Sequence, residues 1–339
     1  MLSGLMIFVL LVLQTLDPLR AQSNIGQSWS IMFYNVENLF DTYDDSLTAD
    51  NDFLPGGIMR WDISRYNKKI NSIYRVVVTA AGWEPPAIVG LCEIENRKVL
   101  EDLIYGTYLE KYDYSIIHED SPDRRGIDVC LIYRSKLVKV PFFRYLVPGG
   151  ATNTHFDSRS ILYAKAIIGS DTLHLFINHW PSRRGGVLAG EENRYDIASM
   201  IDQKADSINR STLGEAKIII LGDFNCPPDD QVIRSMLSNS GQVNPLVNLS
   251  ESLKPNGIGT YRFQGHWEII DQMIVSRKLI DAPSGICIKP DHLRIVCPDF
   301  LLEKDPKYPG MMPFPTYHGY RYQGGFSDHL PILLDYEVR

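Results

Sequence analysis

The strongest constraint on this chain is an apolar run at residues 217–221 that ends in the tetrapeptide Gly222-Asp223-Phe224-Asn225. Such a run is typical of a buried strand, and side chains two residues apart point to the same face of a strand. The sequence therefore predicts that Asp223 and Asn225 lie together at the edge of a sheet. A carboxylate and an amide held in this way can orient and activate a water molecule for hydrolysis.

A second polar segment, Ser327-Asp328-His329, precedes another apolar run at residues 332–336. Asp328 offers the hard oxygen ligand that divalent cations prefer, and His329 adds an acid/base or electrostatic group beside it. Together with the segment at Asp223, these residues indicate metal-assisted hydrolysis of a phosphate ester.

The composition is that of an ordinary globular protein, because 44% of the 339 residues are hydrophobic and 22% are charged. These proportions exclude a disordered chain. No linker rich in Ser or Gly, no block of like charge and no internal repeat marks a domain boundary in the sequence. We therefore expect residues 22–339 to form a single catalytic domain.

The first residues differ from the rest, because residues 5–13 are almost wholly apolar and are followed by Pro18 and the small residue Ala21. This pattern predicts a signal peptide over residues 1–21 and an exported, periplasmic or extracellular protein. No Lys or Arg precedes the apolar run, so a short N-terminal anchor is the alternative. Since a spanning helix needs about 20 apolar residues, stable membrane insertion is not expected.

The net charge of −7 bears on the substrate. Removing residues 1–21 would remove one acid, Asp17, and one base, Arg20, so the balance would not change. An acidic protein is not expected to bind nucleic acid nonspecifically with high affinity, although a basic rim could still bind phosphates. Charge thus makes a nucleic-acid substrate less expected without excluding it.

The five cysteines are an odd number and form no Cys-x-x-Cys pair. Neither a disulfide framework nor a zinc ribbon is therefore indicated. Whether Cys287 and Cys297 pair is open at this point.

Runs with the periodicity of strands and helices follow one another along the chain. The predicted strands cover residues 30–34, 87–94, 114–118, 127–133, 161–168, 173–178, 217–221, 269–275 and 332–336. Helical periodicity covers residues 61–81, 97–105, 191–209 and 230–239. This mixture predicts two sheets with helices on the outside.

Polar side chains follow two of the early strands. Asn35 and Glu37 come after residues 30–34, and Glu93 and Glu95 share a face at the end of residues 87–94. A glutamate at the mouth of a sheet costs several kcal/mol to bury unpaired, so Glu93 is expected to bind a metal ion. Glu95 could bind metal or accept a bond from a neighbouring loop or Asn38.

Two acids interrupt apolar strands, and each has a histidine as its candidate partner: Asp128 with His179, and Asp271 with His329. A carboxylate bonded to an imidazole fixes its tautomer and favours its protonated form. The arrangement predicts a pseudo-symmetric site between the two sheets.

The residues that follow His179 are suited to binding a phosphate group. Ser182 and Arg183 lie in the loop that follows it, and Arg offers a planar fork of donors to phosphate oxygens. Arg183 could instead be a solvated surface charge.

The order of these residues along the chain resembles the endonuclease/exonuclease/phosphatase superfamily, with the deoxyribonuclease-I-like fold. The resemblance spans residues 31–332 and depends on Asn35, Glu93, His179, Asp223, Asn225, Asp271, Asp328 and His329. Segments 35–41 and 92–96 are similar to those of exported bacterial members. The implied fold is α/β (α+β): a four-layer α/β/β/α sandwich of two mixed β-sheets packed face to face, with outer helices.

The resemblance also implies a metal site. Glu93 and Asp328, assisted by Asn35, would hold Mg²⁺ or Mn²⁺, since hard cations favour oxygen ligands. Asp223 would activate or orient the attacking water, and Asn225 would position it.

The same resemblance assigns residues to the phosphate. His329, oriented by Asp271, and His179, oriented by Asp128, would contact nonbridging oxygens as charge develops on them. Arg159 aligns loosely with an arginine that contacts phosphate in the nuclease branch. The alternative for Arg159 is an ordinary charge at the start of a strand.

We therefore expect a divalent-metal-dependent enzyme that hydrolyses phosphodiester bonds, of the nuclease type. The substrate would be a phosphodiester that could be nucleic acid, and no obligate protein partner is evident. The alternatives are a small-molecule or lipid phosphodiesterase or phosphatase, of the sphingomyelinase or inositol-phosphatase kind, and a binding protein without catalysis on the same fold. The aromatic segment 308–322 could be a packed loop or a lid over the substrate.

Overall fold

The computed structural model describes residues 28–82, 84–148, 158–183, 190–239 and 243–339. The signal peptide expected at residues 1–21 lies outside the described residues. Within the described part of the chain, none of the helices has the length and apolar character that crossing a bilayer requires.

Eighteen strands and five α-helices make up the described structure. The strands are β1 (Ser28–Leu39), β2 (Ile88–Ile94), β3 (Tyr114–Ile117), β4 (Asp128–Arg134), β5 (Lys139–Leu146), β6 (Ile161–Ile168), β7 (Asp171–His179), β8 (Lys217–Asp223), β9 (Leu246–Asn248), β10 (Tyr261–Phe263), β11 (His266–Glu268), β12 (Asp271–Ser276), β13 (Ile286–Ile295), β14 (Leu302–Lys304), β15 (Met311–Pro313), β16 (Tyr317–His318), β17 (Arg321–Tyr322) and β18 (Ile332–Val338). The helices are α1 (Ile63–Ala80), α2 (Arg97–Tyr105), α3 (Glu191–Ser211), α4 (Gln231–Asn239) and α5 (Arg277–Ile280).

The long strands form two six-stranded sheets. The first has the order β13-β18-β1-β2-β4-β3, and only its β1–β2 pair is parallel among the described strands. The second has the order β5-β6-β7-β8-β12-β9, with β7 and β8 as its parallel pair. Both sheets are therefore mixed. Three two-stranded pairs, β10–β11, β14–β15 and β16–β17, lie outside them.

The central strand β1 shows how the first sheet separates two cores. Ile31 and Phe33 belong to the apolar cluster between the sheets, which contains side chains of both. Met32 and Tyr34 point the other way and pack in the cluster that includes α1 and α2. Successive side chains of a strand face opposite sides, so an unbroken apolar run serves two layers at once.

Strand β8 does the same in the second sheet. Ile219 and Leu221 join the cluster between the sheets, whereas Ile218 and Ile220 pack in the cluster that contains residues of α3 and α4. The order of layers is therefore helices, sheet, sheet, helices. The predicted four-layer sandwich is confirmed.

The predicted helices are found within two residues of their expected ends. Helix α1 begins after Asp62, whose carboxylate accepts a hydrogen bond from the Arg65 N–H at 2.9 Å. This cap satisfies one of the free donors of the first turn. The apolar face predicted for α1 is buried at Tyr66, Ile70 and Val77.

Several strands were not predicted, and β5 and β13 are the longest of them. In the edge strand β5 the consecutive residues Phe142 and Phe143 are both exposed. Buried and exposed side chains therefore do not alternate along this strand. Strand β13 has a register shift against β18 between Ile288 and Leu293. All five cysteines are free thiols, so Cys287 and Cys297 do not pair.

Gly222 precedes Asp223 at a place where neighbouring strands leave no room for a side chain. A Cβ atom there would lie 2.4 Å from the Asn178 carbonyl oxygen and 2.6 Å from Asn178 Cβ. We expect Gly222→Ala to lower the free energy of unfolding by about 1–3 kcal/mol, because β7 and β8 must separate. Chemical denaturation measures this change.

Gly56→Ala is the matched control, because a Cβ atom at Gly56 would have no atom of the described residues within 4 Å. Its effect should stay within about 0.5 kcal/mol. Equal stability of the two variants would contradict the close packing at Gly222.

Candidate functional site

The polar residues singled out by the sequence gather where strand ends of both sheets meet. In the second sheet the register pairs His179 of β7 with Asp223 of β8, and Asp223 with Asp271 of β12. In the first sheet Asn35 of β1 lies opposite Cys92 of β2, next to Glu93. Backbone pairing thus brings residues from distant parts of the sequence to one opening.

Asn35 joins the two sheets at this opening. Its side-chain Nδ2 donates to Asp223 Oδ2 at 3.1 Å and to Glu93 Oε1 at 3.3 Å. Its amide oxygen accepts from the Glu37 N–H at 3.0 Å, which fixes the orientation of the amide. Asn35 therefore acts here as a donor that holds two carboxylates, whereas the family resemblance implied an oxygen ligand.

Glu93 lies on an irregular part of β2. Its φ is +63°, and the pairing of β2 with both neighbours shifts register around it. A non-glycine residue in the left-handed region costs about 1–3 kcal/mol and is typical of functional sites. Glu93 Oε2 accepts from the Asn38 N–H at 2.9 Å, and its side chain is 15% exposed. The irregular backbone thus directs the Glu93 carboxylate toward the opening.

Glu95, whose role the sequence left open, bonds a neighbouring loop. Its Oε2 accepts from the Asp41 N–H at 2.6 Å, and Asn96 Nδ2 donates to the same oxygen at 3.0 Å.

Asp223 is buried at the centre of the group. Its Oδ1 accepts from the Asn225 N–H at 2.9 Å, while its Oδ2 lies 3.6 Å from His179 Nε2 and 3.9 Å from His329 Nε2. Burial raises the pKa of Asp223 to about 7; Asp271 acts in the same direction, and His329 opposes it. A carboxylate with such a pKa is suited to accept a proton near neutral pH.

His329 and Asp271 form a buried pair. His329 Nδ1 lies 2.8 Å from Asp271 Oδ2, and the ring of Tyr261 packs 4.9 Å from the imidazole. Burial alone would lower the pKa of His329, but Asp271, Asp328 and Asp223 outweigh it and hold that pKa well above its usual value. The imidazole is therefore held in its charged form.

The pKa of His179 is shifted in the opposite direction to that of His329. Burial lowers its pKa well below the usual value, and the positive charges of Arg159, Arg125 and His329 add to this effect. Its Nε2 lies 3.8 Å from Glu93 Oε1, and its buried Nδ1 has no hydrogen-bond partner among the described residues. One histidine of the site is therefore neutral and the other is charged.

The expected pairing of Asp128 with His179 is wrong. Asp128 Oδ2 instead lies 3.2 Å from Nε2 of His118, and its Oδ1 accepts from the Ser121 N–H at 2.9 Å. The reason is topological, because β3 and β4 are antiparallel neighbours and His118 directly follows β3. His118 is the last residue of the predicted strand 114–118, and this position is the signal by which the sequence could have identified it.

Both arginines that were expected to bind phosphate have acidic partners. Arg159 is buried, and its guanidinium donates to Asp123 Oδ2 at 3.2 Å and to the Trp180 carbonyl oxygen at 2.8 Å. Arg183 forms an ion pair with Glu268 and is 28% exposed. Ser182 is partly buried beside it. Arg159 thus holds the backbone next to His179.

Asp328 lies next to His329, and Asn225 lies next to Asp223. The Asp328 side chain is 41% exposed, and its Oδ1 lies 4.0 Å from His329 Nε2. Asn225 has a φ of +52°, and its Nδ2 donates to the Trp180 carbonyl oxygen at 2.9 Å. That bond fixes the plane of the Asn225 amide beside Asp223.

The donor set fits a hard divalent cation. Glu93 and Asp328 offer carboxylate oxygens of the kind such ions prefer. Oxygen and nitrogen atoms of Asp223, Asp271 and His329 also lie within 4.8 Å of one another. Asp271 Oδ1 is buried and has no hydrogen-bond partner within the part of the chain that the structure describes. So many acids at one buried opening need positive charge, of which His329 supplies one unit.

The segment that carries Asp328 is held by Ser327 and Glu37, two residues to which the sequence analysis gave no role of their own. Ser327 Oγ donates to the Asn35 carbonyl oxygen at 2.7 Å and accepts from the His329 N–H at 3.0 Å. Glu37 accepts from the N–H groups of Thr316 at 2.6 Å and Tyr317 at 3.1 Å. Strand β1 and the Ser-Asp-His segment are therefore bonded directly to each other.

A buried lysine completes this contact. Lys69 of α1 is 1% exposed, and its Nζ donates to Thr316 Oγ1 and, at 2.7 Å, to the Phe326 carbonyl oxygen. Burial raises the pKa of Glu37 to about 8, Asp328 adds to this, and Lys69 opposes it. The burial of Lys69 was not predicted from the sequence, because a lysine among polar helix residues usually faces solvent.

The aromatic segment 308–322 is mostly packed. The ring of Tyr317 lies 6.1 Å from Trp61, and the guanidinium of Arg65 lies 4.4 Å from the ring of Tyr322. Tyr320 is 70% exposed. These contacts favour the packed loop over a lid for Tyr317 and Tyr322.

Replacing Lys69 tests the contact behind Asp328. We expect Lys69→Met to lower the free energy of unfolding by about 2–4 kcal/mol, because it leaves buried acceptors and Glu37 without their cation. The neighbouring Lys68→Met is the control, since Lys68 is exposed. Denaturant titration that found the two variants equally stable would show that Lys69 does not hold this segment.

Comparison with known proteins agrees with this geometry. Residues 30–338 match the model of the Endonuclease/Exonuclease/phosphatase family. No curated protein sequence matches the chain. The fold is similar to an endonuclease/exonuclease/phosphatase family protein from Bacteroides thetaiotaomicron, with a TM-score of 0.59 and 16% identity over 92% of this chain and 98% of that one.

Two other solved structures share the fold. The mannosyl-6-phosphatase of Bacteroides thetaiotaomicron has a TM-score of 0.58 and 16% identity, over 91% of this chain and 99% of its own. TDP2 of D. rerio, complexed with a single-strand DNA product, has a TM-score of 0.55 and 15% identity over 91% and 99%. Because the family model covers almost all of the described residues, the chain belongs to the Endonuclease/Exonuclease/phosphatase family.

Proposed function

We propose that this chain is a divalent-metal-dependent phosphoesterase that uses Mg²⁺ or Mn²⁺. The observation that carries the proposal is the meeting of a neutral and a charged histidine on one buried carboxylate, Asp223, beside Glu93. Such a site supplies a proton acceptor, a cationic donor and cation ligands within a few ångströms.

The attacking water would be oriented by Asp223. Its carboxylate has a pKa of about 7 through burial, so it can accept the proton of that water as the new P–O bond forms. The Asn225 amide, fixed by Trp180, would hold the same water in line with the ester bond.

The phosphate would lie between the two histidines. Charged His329, held by Asp271, would donate to a nonbridging oxygen, and neutral His179 would face the phosphate without adding charge. Preorganised donors of this kind stabilise the charge that develops in the transition state.

The metal ion would be held by Glu93 and Asp328, with Asn35 keeping the Glu93 carboxylate in place. When bound, a divalent cation polarises the phosphoryl group and stabilises the departing oxygen.

For the substrate, the sequence favours a phosphodiester, nucleic acid included. TDP2 complexed with a single-strand DNA product supports this choice, and the mannosyl-6-phosphatase supports a small phosphoester. One observation favours the second class: among the described residues near the site, Arg125, Arg159 and Arg183 all have acidic partners. Few cations then remain among the described residues near the site to follow a polyanionic strand. Export is also proposed, on the apolar run at residues 5–13.

Replacing Asp223 tests the assignment of the proton acceptor. We expect Asp223→Ala to reduce kcat on bis-p-nitrophenyl phosphate by about 10³-fold or more, because the water loses its base. Thermal unfolding should show that the fold is retained, and Asp291→Ala at an exposed position of β13 should keep full activity. Unreduced turnover by Asp223→Ala would exclude the role given to this carboxylate.

Metal removal tests the cation requirement and the substrate together. We expect EDTA to abolish hydrolysis and added Mg²⁺ or Mn²⁺ to restore it. The assay should include DNA, RNA, nucleotides, sugar phosphates and phospholipids, each with and without chelator. Hydrolysis that EDTA leaves unchanged would contradict the proposed metal dependence, and the substrate turned over fastest would separate the two substrate classes.

A further inference from the structure

A histidine and two aspartates lie together at the connection between β3 and β4, in a group separate from the one around Asp223. His118 directly follows β3, Asp128 begins β4, and Asp120 lies between them in the sequence. One ring nitrogen or carboxylate oxygen of each of these three residues lies within 4.8 Å of the other two. The two ends of the connection therefore meet in side chains of the kinds that bind metal ions.

The imidazole of His118 has an unsatisfied ring nitrogen. Its side chain is 2% exposed, and its Nε2 atom has no hydrogen-bond partner among the described residues. Asp128 Oδ2 lies only 3.2 Å from this nitrogen, yet the two atoms do not form a hydrogen bond. A buried polar atom left in this state calls for a missing partner.

The spacing of these two atoms fits a shared metal ion. Two ligand atoms that lie about 2.0–2.1 Å from a tetrahedral zinc ion are about 3.3–3.4 Å apart, and the observed separation of 3.2 Å is close to this value. Asp128 is also held in place, because its other oxygen, Oδ1, accepts from the Ser121 N–H at 2.9 Å. A hydrogen bond of this kind fixes the orientation of a metal-binding carboxylate.

Asp120 offers a third ligand and lies on the solvent side of the group. Its Oδ1 lies 3.9 Å from Nδ1 of His118, and its side chain is 87% exposed. Exposed side chains change rotamer rapidly, so this carboxylate can turn toward Nε2. A metal ion can therefore reach the two buried ligands from the side of Asp120.

We propose that His118, Asp120 and Asp128 bind a Zn²⁺ ion that is distinct from the cation at Glu93 and Asp328. Imidazole nitrogen and carboxylate oxygen are both zinc ligands, and water fills the fourth position. The nitrogen donor disfavours Ca²⁺ and Mg²⁺, which take oxygen ligands. The proposal does not depend on the hydrolytic activity.

The ion joins the two ends of a loop that supports the hydrolytic site. Asp123 of this loop accepts from the buried Arg159 at 3.2 Å, and Arg159 donates to the Trp180 carbonyl oxygen at 2.8 Å. Trp180 directly follows His179. Zn²⁺ at the base of the loop thus stabilises the position of Asp123 and, through Arg159, the backbone next to His179. Binding of this kind adds to the stability of the folded chain.

The test is calorimetric titration of Zn²⁺ into the metal-free full chain, with thermal unfolding measured in parallel. We expect the wild type and Glu93→Gln, in which the hydrolytic metal site is impaired, to share one Zn²⁺ equivalent that raises the Tm. His118→Gln should weaken binding of this equivalent by about 100-fold or more, since loss of even an outer partner of a metal ligand costs about 10–100-fold. NMR of the imidazole groups should show that Zn²⁺ shifts the Nε2 resonance of His118, which a histidine paired only with Asp128 would not do.

His292→Gln is the matched control, since His292 is a partly buried histidine of β13 and should keep the Zn²⁺ equivalent. Asp120→Asn should weaken binding by about tenfold or more. Because Asp120 is exposed, this variant tests the site even if His118→Gln fails to fold. Unchanged Zn²⁺ affinity in either folded variant, or an imidazole resonance of His118 that Zn²⁺ does not shift, would overturn the proposal. Hydrolysis measured with Mg²⁺ separates failure of this site from failure of the proposed activity.

Discussion

The structure depends on the convergence of carboxylates at a buried opening where both sheets end. Glu93 comes from the first sheet, and Asp223 and Asp271 come from the second, so repulsion between them tends to push the sheets apart. Asn35 opposes this by donating to Glu93 and Asp223 across the gap, and charged His329 opposes it beside Asp271. Hydrogen-bond donors and positive charge at the opening therefore stabilise both the fold and the proposed chemistry.

The rest of the fold holds these groups in place. The apolar cluster between the sheets fixes the distance between them, and backbone register decides which side chains become neighbours. On the first sheet, Ser327, Glu37 and Lys69 bond the Ser-Asp-His segment to β1 and α1. The exposed Asp328 carboxylate is thus supported by buried polar contacts whose removal should cost more than any surface interaction.

Much of this could be predicted from the sequence, for identifiable reasons. Uninterrupted apolar runs such as residues 217–221 predict strands buried on both faces, and the predicted layers follow from them. Asp223 and His329 stood out because the first follows such a run and the second precedes one. Edge strand β5 could not be found in this way, since both its faces are exposed.

It was harder to predict which side chains contact one another than to predict which residues lie at the ends of strands. Asp128 contacts His118 because β3 lies beside β4, and strand order is not encoded in local periodicity. Arg159 was expected at the phosphate, but its partner Asp123 lies 36 residues away and only the fold shows the contact. Lys69 was not predicted to be buried, because a lysine rarely is, even where its position lies beside the apolar face of a helix.

The central claim is that these side chains hold a cation at the opening, and anomalous diffraction from crystals soaked in Mn²⁺ tests it most directly. The account predicts an anomalous peak within bonding distance of carboxylate oxygens of Glu93 and Asp328. A well-ordered site with no peak there would contradict it.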